Sequence, residues 1–101
     1  MIEQSWESYI EVVDWRRKRW RFNYTKHVTS SGWALDWEVL APGGSIKAKG
    51  EKDSELAHRC LNESGVIDNL LIEHEFIWWV NHYTNSLNIK LLKAIQSEVQ
   101  A

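Results

Sequence analysis

The sequence predicts a small α+β fold in which an antiparallel β-meander of three to four strands packs against two to three C-terminal α-helices. Two observations lead to this prediction. Over about residues 9–50, apolar and polar residues alternate as they do along a strand, and over about residues 53–100 the apolar residues recur every three or four positions, as on one face of a helix. The length of 101 residues provides for one hydrophobic core, so we expect a single domain over residues 1–101.

The first two strands are predicted on either side of a basic segment. Residues 9–13 form the first strand and residues 19–24 the second. Successive side chains of a strand point to opposite faces, so the rings of the second strand share one face and its arginines the other. We expect the rings to face the core, and they are Trp20, Phe22 and Tyr24.

The third and fourth strands follow two turns. Residues 30–32 form the first turn, and the strand after it places Trp33, Leu35, Trp37 and Val39 on the core side. Residues 41–44 contain one Pro and two Gly, which favour a second turn. In the strand over residues 45–49, Ile46 and Ala48 are predicted to face inward. On the solvent face, Arg19 and Arg21 are expected opposite Asp36 and Glu38.

The helical half begins at a capping signal. Asp53 or Ser54 can accept a hydrogen bond from the first free amides, and Gly65 is the expected C-terminal cap. A second helix is predicted from Val66 to Val80, with His74 and Trp78 on its sheet-facing stripe. Residues 81–86 favour a turn before a helical stretch from about Leu87 to Val99, so the C-terminal part forms either two helices or one bent helix.

The segment from Trp15 to Tyr24 is the most unusual part of the composition, because it places five basic residues among four aromatic rings. The whole chain has a net charge of only −2, which does not suit a globally basic nucleic-acid binder. Residues 16–18 have no acidic partner in the predicted sheet. We therefore expect them to form an exposed basic loop that suits an acidic protein surface or phosphates.

Trp78 and Trp79 form a second candidate contact site. Neighbouring positions on a helix diverge by about 100°, so one indole can enter the core while the other points sideways. The alternative is that the last helix covers both. If one of them is exposed, the helix offers a surface for homo-oligomer formation.

Catalytic, metal and cofactor sites are not predicted. The four histidines lie in separate elements, and Glu73-His74-Glu75 lacks the second histidine four residues away that a zinc peptidase motif requires. Cys60 is the sole cysteine and lies on an apolar helical stripe, which favours a core residue over a catalytic thiol. We expect no enzymatic activity and no cofactor.

The expected location is the cytoplasm. A single cysteine excludes an internal disulfide, which fits a reducing compartment. The N-terminus lacks the basic and apolar regions of an export signal, and no apolar run approaches the roughly 20 residues of a membrane span. The sequence therefore predicts neither export nor a membrane anchor.

Between residues 19 and 61, the short antiparallel strands, the Pro-Gly turn and the capped helix resemble compact accessory proteins of bacteriophages and mobile elements. Some of those proteins inhibit host defence complexes by binding them, so the resemblance implies a binding role, although it transfers no functional residue. We expect a non-enzymatic interaction module, an inhibitor or adaptor with a protein partner. The alternative is a single-stranded nucleic-acid binder that uses a basic aromatic sheet face. The candidate partner-binding residues are Trp15, Arg16, Arg17, Lys18, Arg19, Arg21 and Trp79.

Overall fold

The computed structural model describes the backbone of residues 2–100 and the side chains of residues 4–85. Four antiparallel strands form an open sheet in the order β1-β2-β3-β4, and two helices follow. This architecture confirms the predicted α+β fold with a β-meander and C-terminal helices. The elements are β1 (Ile2–Val13), β2 (Arg19–Thr29), β3 (Gly32–Leu40), β4 (Ile46–Asp53), α1 (Ser54–Arg59) and α2 (Asn69–Gln100).

The core lies between one face of the sheet and the two helices. The three rings of β2 are buried as predicted, with Trp20 only 1% exposed. Phe22 stacks on Phe76 of α2 with ring centroids 5.1 Å apart. Trp20 meets Trp79 and Tyr83 of the same helix edge-on, at 5.9 and 5.5 Å. The aromatic residues of β2 therefore hold α2 against the sheet, because edge-on and offset stacked rings attract one another.

The strand β3 faces the core as predicted, but the prediction for β4 is wrong at Ile46. Leu35 and Val39 are buried, whereas the side chain of Ile46 is 56% exposed. The register between β3 and β4 shifts between Val39 and Leu40, and an extra residue at such a bulge turns the following side chains to the other face. Further along β4, Gly50 lies against the Trp37 indole, which occupies the space that a Cβ at residue 50 would need.

The predicted ladder of opposite charges between β2 and β3 is also wrong. Arg21 lies opposite Leu40, and Asn23 lies opposite Glu38. The cause is the length of β2, which continues past Tyr24 to Thr29 and moves the arginines toward the far end of β3. Asn23 donates a hydrogen bond to Glu38 at 3.1 Å in place of the expected ion pair.

The first helix begins where predicted and ends earlier. The Asp53 carboxylate accepts a hydrogen bond from the Leu56 amide at 2.9 Å, which confirms the N-terminal cap. The helix ends at Arg59 with Cys60 as its C-terminal cap, so Gly65 is not the cap. Gly65 instead has a φ of 75° in a separate turn, where its amide donates to the Asn62 carbonyl at 2.9 Å.

The C-terminal helix is one continuous element. It begins at Asn69 and not at Val66, because the Asp68 carboxylate accepts from the Leu70 amide at 2.8 Å and caps the helix there. The predicted turn over residues 81–86 is absent from the backbone. Thr84, which is 1% exposed, donates its hydroxyl to the Val80 carbonyl at 2.9 Å, so its side chain is satisfied without leaving the helix.

The face that α2 turns to the sheet differs from the predicted one. His74 is exposed and Trp78 is 63% exposed, so neither belongs to the sheet-facing stripe. The buried positions recur every four residues and are Ile72, Phe76, Val80 and Thr84. The apolar positions predicted between Leu87 and Val99 fall outside the side chains that the structure describes.

Candidate interaction surface

The loop between β1 and β2 is built around the Asp14 side chain. One carboxylate oxygen of Asp14 accepts from the backbone amides of Arg16 and Lys18, at 2.8 and 3.0 Å. The other accepts from the indole Nε1 of Trp20 at 2.8 Å and from the Arg16 guanidinium at 3.0 Å. The Arg17 amide donates to the Asp14 carbonyl at 2.9 Å. A single buried carboxylate therefore fixes the loop backbone and ties it to the core tryptophan.

The charge on Asp14 is part of this arrangement. Its residue surface is only 6% exposed, and burial raises the pKa of a carboxyl group. The hydrogen bonds from Trp20, Lys18 and Arg16 outweigh that effect and lower the pKa of Asp14 from 3.8 to about 2. The carboxylate is thus ionised at neutral pH and attracts the positive charge of the loop.

The four residues that follow Asp14 are exposed. Trp15 is 58% exposed, and the Arg16 guanidinium lies over its ring at 5.8 Å. Within the described side chains, Arg16 forms an ion pair with Asp14, whereas Arg17 and Lys18 form none. Arg17 has a φ of 63°, a left-handed conformation that costs a residue with a Cβ about 1–2 kcal/mol. The loop holds an indole and two cations toward solvent in a fixed backbone.

The other candidate residues lie elsewhere. Arg19 pairs with Glu11 on the neighbouring strand at 3.1 Å. The Arg21 guanidinium lies 4.0 Å from the centre of the Tyr9 ring and donates to Asn23 at 2.7 Å. Both arginines belong to the sheet face that no helix covers. The seven candidates therefore do not form one site.

Trp79 is half-buried. It stacks on Tyr83 at 5.2 Å and meets Trp20 edge-on. The indole that α2 exposes is Trp78, which stacks on His82 at 5.1 Å. The prediction that one of the two adjacent indoles points away from the core is thus confirmed, and the exposed indole is Trp78.

The open face of the sheet forms a groove of about 650 Å³. Four acidic and two basic side chains line it, so the net charge of the lining is negative. The charged residues that line it are Glu7, Arg21, Asp36, Glu38, Lys49 and Glu51.

A hydrogen-bond chain at one end of this face crosses three strands. The Nδ1 atom of His27 lies 2.8 Å from the Ser5 hydroxyl, and its Nε2 atom lies 2.6 Å from the Asp36 carboxylate. A neutral imidazole protonated on Nε2 satisfies both contacts. Asp36 also accepts from the Lys52 amide at 2.6 Å, and hydrogen bonds from Lys52 and His27 lower its pKa. The chain links β1, β2 and β3 through side chains.

The sequence prediction missed both Asp14 and this chain. An Asp next to a turn commonly bonds to the backbone two residues further on. The position of Asp14 just before the basic run therefore indicated that its carboxylate could bond to the loop backbone. The contacts of His27 depend on the strand register, and the spacing of Ser5, His27 and Asp36 along the chain gives no sign of them.

Cys60 is a core residue, as predicted. It is fully buried, and burial raises the pKa of its thiol to about 11, so the thiol stays protonated at neutral pH. Among the described side chains, no three His, Cys, Asp or Glu residues are grouped in a way that could hold a metal ion. Within the same part of the chain, no helix has the length and the apolar composition needed to cross a membrane.

A comparison with known protein families, with curated proteins and with solved structures finds no match to this chain.

Proposed function

We propose that this chain is a non-enzymatic protein-interaction module that binds an acidic surface of a partner protein through its β1–β2 loop. The observation that supports this most is the way Asp14 fixes the loop while Trp15, Arg17 and Lys18 stay exposed. Tryptophan and arginine are the residue types that most often dominate binding energy at protein interfaces. A loop that is already ordered loses little conformational entropy on binding.

The left-handed Arg17 adds to this argument. Glycine adopts a positive φ without steric cost, so the fold alone would favour glycine at residue 17. An arginine at residue 17 destabilises the fold but places a cation at the tip of the loop. Strain of this kind is common at binding sites.

The alternative, a single-stranded nucleic-acid binder, requires rings on which bases can stack. The rings of β2 that would provide them are Trp20, Phe22 and Tyr24, which lie under α2. Two unpaired cations also give little electrostatic affinity. For a single strand, the expected slope of log affinity against log salt is about −0.7 per phosphate contact, hence about −1.4 for Arg17 and Lys18 together.

An inhibitor or adaptor role of the phage or mobile-element type, in the cytoplasm, is the specific form of this proposal. It rests on the resemblance of residues 19–61 and on the lone cysteine. Such a protein acts by occupying a surface of a larger complex. The partner should therefore be a protein, and its contact surface should carry Asp and Glu.

Affinity capture with matched variants tests the proposal. The full chain is used as bait in a nuclease-treated lysate beside Trp15→Ala and Lys18→Glu, and Lys47→Glu serves as the control because Lys47 is an exposed lysine outside the loop. We expect both loop variants to lose a protein that the wild type and the control retain. Equal recovery by all four baits would exclude the loop as the binding site.

The nucleic-acid alternative is tested separately. Binding of a labelled single-stranded oligonucleotide is measured by fluorescence anisotropy at near-physiological salt. We expect no saturable binding by the wild-type chain. Saturable binding that Lys18→Glu weakens and Lys47→Glu leaves unchanged would favour the alternative.

A further inference from the structure

The two edges of the sheet differ in how well they are protected against pairing with another strand. The edge strand β4 has two register shifts against β3 and includes Lys47, Lys49 and Lys52, and both features discourage strand addition. The other edge, β1, pairs with β2 in unbroken register from Gln4 to Val13. It contains no Lys, Arg, Pro or Gly. Over residues 4–13 the β1 edge therefore lacks the lysines and the register shifts that protect β4, and its charged residues there are Glu7 and Glu11.

The backbone of β1 has hydrogen-bonding groups available at this edge. The Asp14 amide donates to the Lys18 carbonyl at 2.9 Å. Bonded and non-bonded pairs alternate along an antiparallel ladder, so the even-numbered residues of β1 bond to β2. The N–H and C=O groups of Glu7, Tyr9 and Glu11 are consequently directed toward the free edge.

Apolar side chains flank the same edge on both faces of the sheet. Trp6 is 41% exposed on the helix side, where it stacks on Trp33 at 5.9 Å. On the open side, Tyr9 is 54% and Val13 is 60% exposed. A strand laid along β1 would bury part of all three side chains, and burial of apolar surface favours association.

We infer that a second copy of this chain occupies the edge, with the two β1 strands antiparallel about a two-fold axis. Charge complementarity favours this occupant. Within β1, Glu7 and Glu11 are acidic, and the loop that follows is basic. Antiparallel pairing places the basic loop of each copy beside the N-terminal end of the other β1, a strand whose charged residues are all acidic. A register centred on Ile10 sets Glu7 opposite Val13, so that no carboxylate faces another.

The result is a closed dimer with one eight-stranded sheet, because a two-fold axis uses the same edge on both copies. The two β1–β2 loops lie at opposite ends of the shared strand pair. This inference goes beyond the proposed binding of an acidic partner. It rests on the β1 edge and on the charge of the loop, and its test, the oligomeric state, is measured separately from the capture of an acidic partner.

Light scattering of the full chain across the micromolar range tests the dimer. We expect a particle of twice the chain mass of 11.9 kDa, dissociating on dilution. A particle with the mass of one chain throughout this range would overturn the inference. Open assemblies that grow beyond two copies would also overturn it, because the two-fold pairing of β1 closes the edge.

Two variants at Glu7 locate the contact. Glu7→Pro removes an outward N–H that has no partner in the monomer, and proline is tolerated on an edge strand where the N–H faces solvent. Glu7→Ala removes the same carboxylate and keeps the N–H. We expect Glu7→Pro to raise the dimer dissociation constant by about tenfold or more and Glu7→Ala to raise it by clearly less, because the alanine variant loses the carboxylate but keeps the N–H. A folded Glu7→Pro variant that dimerises like wild type would place the contact elsewhere, for example at the exposed Trp78.

Amide exchange provides a test that does not depend on the proline variant folding. The amides of Tyr9 and Glu11 are directed outward in the monomer, so they should exchange rapidly at low concentration and slowly at concentrations where the dimer forms. The Lys47 amide on β4 is the control and should exchange at the same rate at both concentrations. Exchange at Tyr9 and Glu11 that does not depend on concentration would rule out pairing at this edge.

Discussion

Two parts of one short segment behave in opposite ways. Residues 15–18 and residues 19–24 are similar in composition, since both mix basic and aromatic side chains. In the second part, strand alternation buries the rings under α2 and leaves the arginines on the open sheet face. In the first part no alternation applies, and all four side chains are exposed. Composition alone therefore does not separate a core strand from a contact surface, whereas backbone geometry does.

Asp14 links the two parts. Its carboxylate is bonded to Trp20 in the core and to the backbone of the loop. The core thus fixes the shape of the loop, while the side chains of the loop contribute little to the core. Substitutions in the loop should consequently change partner binding, whereas substitutions in the core strand should change the free energy of unfolding.

The largest expected effect comes from the two tryptophans of the segment. Trp20→Ala should lower the free energy of unfolding by about 3–5 kcal/mol, because it leaves a cavity in the core. Trp15→Ala should change it by no more than about 0.5 kcal/mol, as expected for an exposed site. Chemical denaturation of both variants measures the difference, and equal losses would mean that the loop and the core strand are not distinct.

Asp14→Asn should lower stability by about 1–3 kcal/mol, because an amide cannot accept all the hydrogen bonds that the carboxylate accepts. The pH dependence identifies the cause. The pKa of Asp14 is lowered to about 2 in the fold, so its contribution is complete above about pH 4 and is lost as the pH falls toward 2. Denaturation curves through this window should converge for wild type and Asp14→Asn. A constant gap between them would mean that the charge of Asp14 does not stabilise the fold.

Arg17→Gly should raise the free energy of unfolding by up to about 1 kcal/mol, because glycine relieves the left-handed strain at residue 17. The same change should weaken partner binding. Thermal unfolding and binding are measured on one preparation. A variant that is less stable than wild type, or that binds as tightly, would show that Arg17 is retained for structural reasons.

The smallest expected effect on stability is at Lys18. Lys18→Glu and Lys47→Glu each reverse one exposed charge and should both shift stability by less than about 0.5 kcal/mol. Only Lys18→Glu should weaken binding. If Lys47→Glu weakens binding equally, the effect reflects the net charge of the chain and not the loop.

The alternation of β2 was predictable because large rings at every second position leave one choice of core face. The end of β2 was not, since Lys26 and His27 interrupt that alternation. His27 is buried, and Ser5 and Asp36 satisfy both of its ring nitrogens. Because the predicted β2 was too short, Arg19 and Arg21 were predicted to lie opposite the wrong residues of β3.

The spacing of apolar residues along α2 did not indicate which of its faces is buried. Apolar residues such as Leu70 and Trp78 lie outside the sheet-facing side, so they surround most of the helix. The stacking of Phe76 on Phe22 decides the orientation, and this contact depends on the tertiary arrangement. The exposed loop was predictable from its unpaired charges, but its rigid support by Asp14 was not identified.

We propose that the loop binds a partner and that its outward side chains contribute little to the stability of the fold. A triple variant, Trp15→Ala/Arg17→Gly/Lys18→Glu, tests it most directly, because it keeps Asp14 and Arg16 and changes the three outward residues. On one preparation, we expect the same unfolding midpoint as wild type, or a higher one, together with loss of the protein captured by the wild-type chain. A folded triple variant that still binds this protein would show that the loop is not the binding site, and a triple variant that unfolds would show that these side chains are needed for the fold.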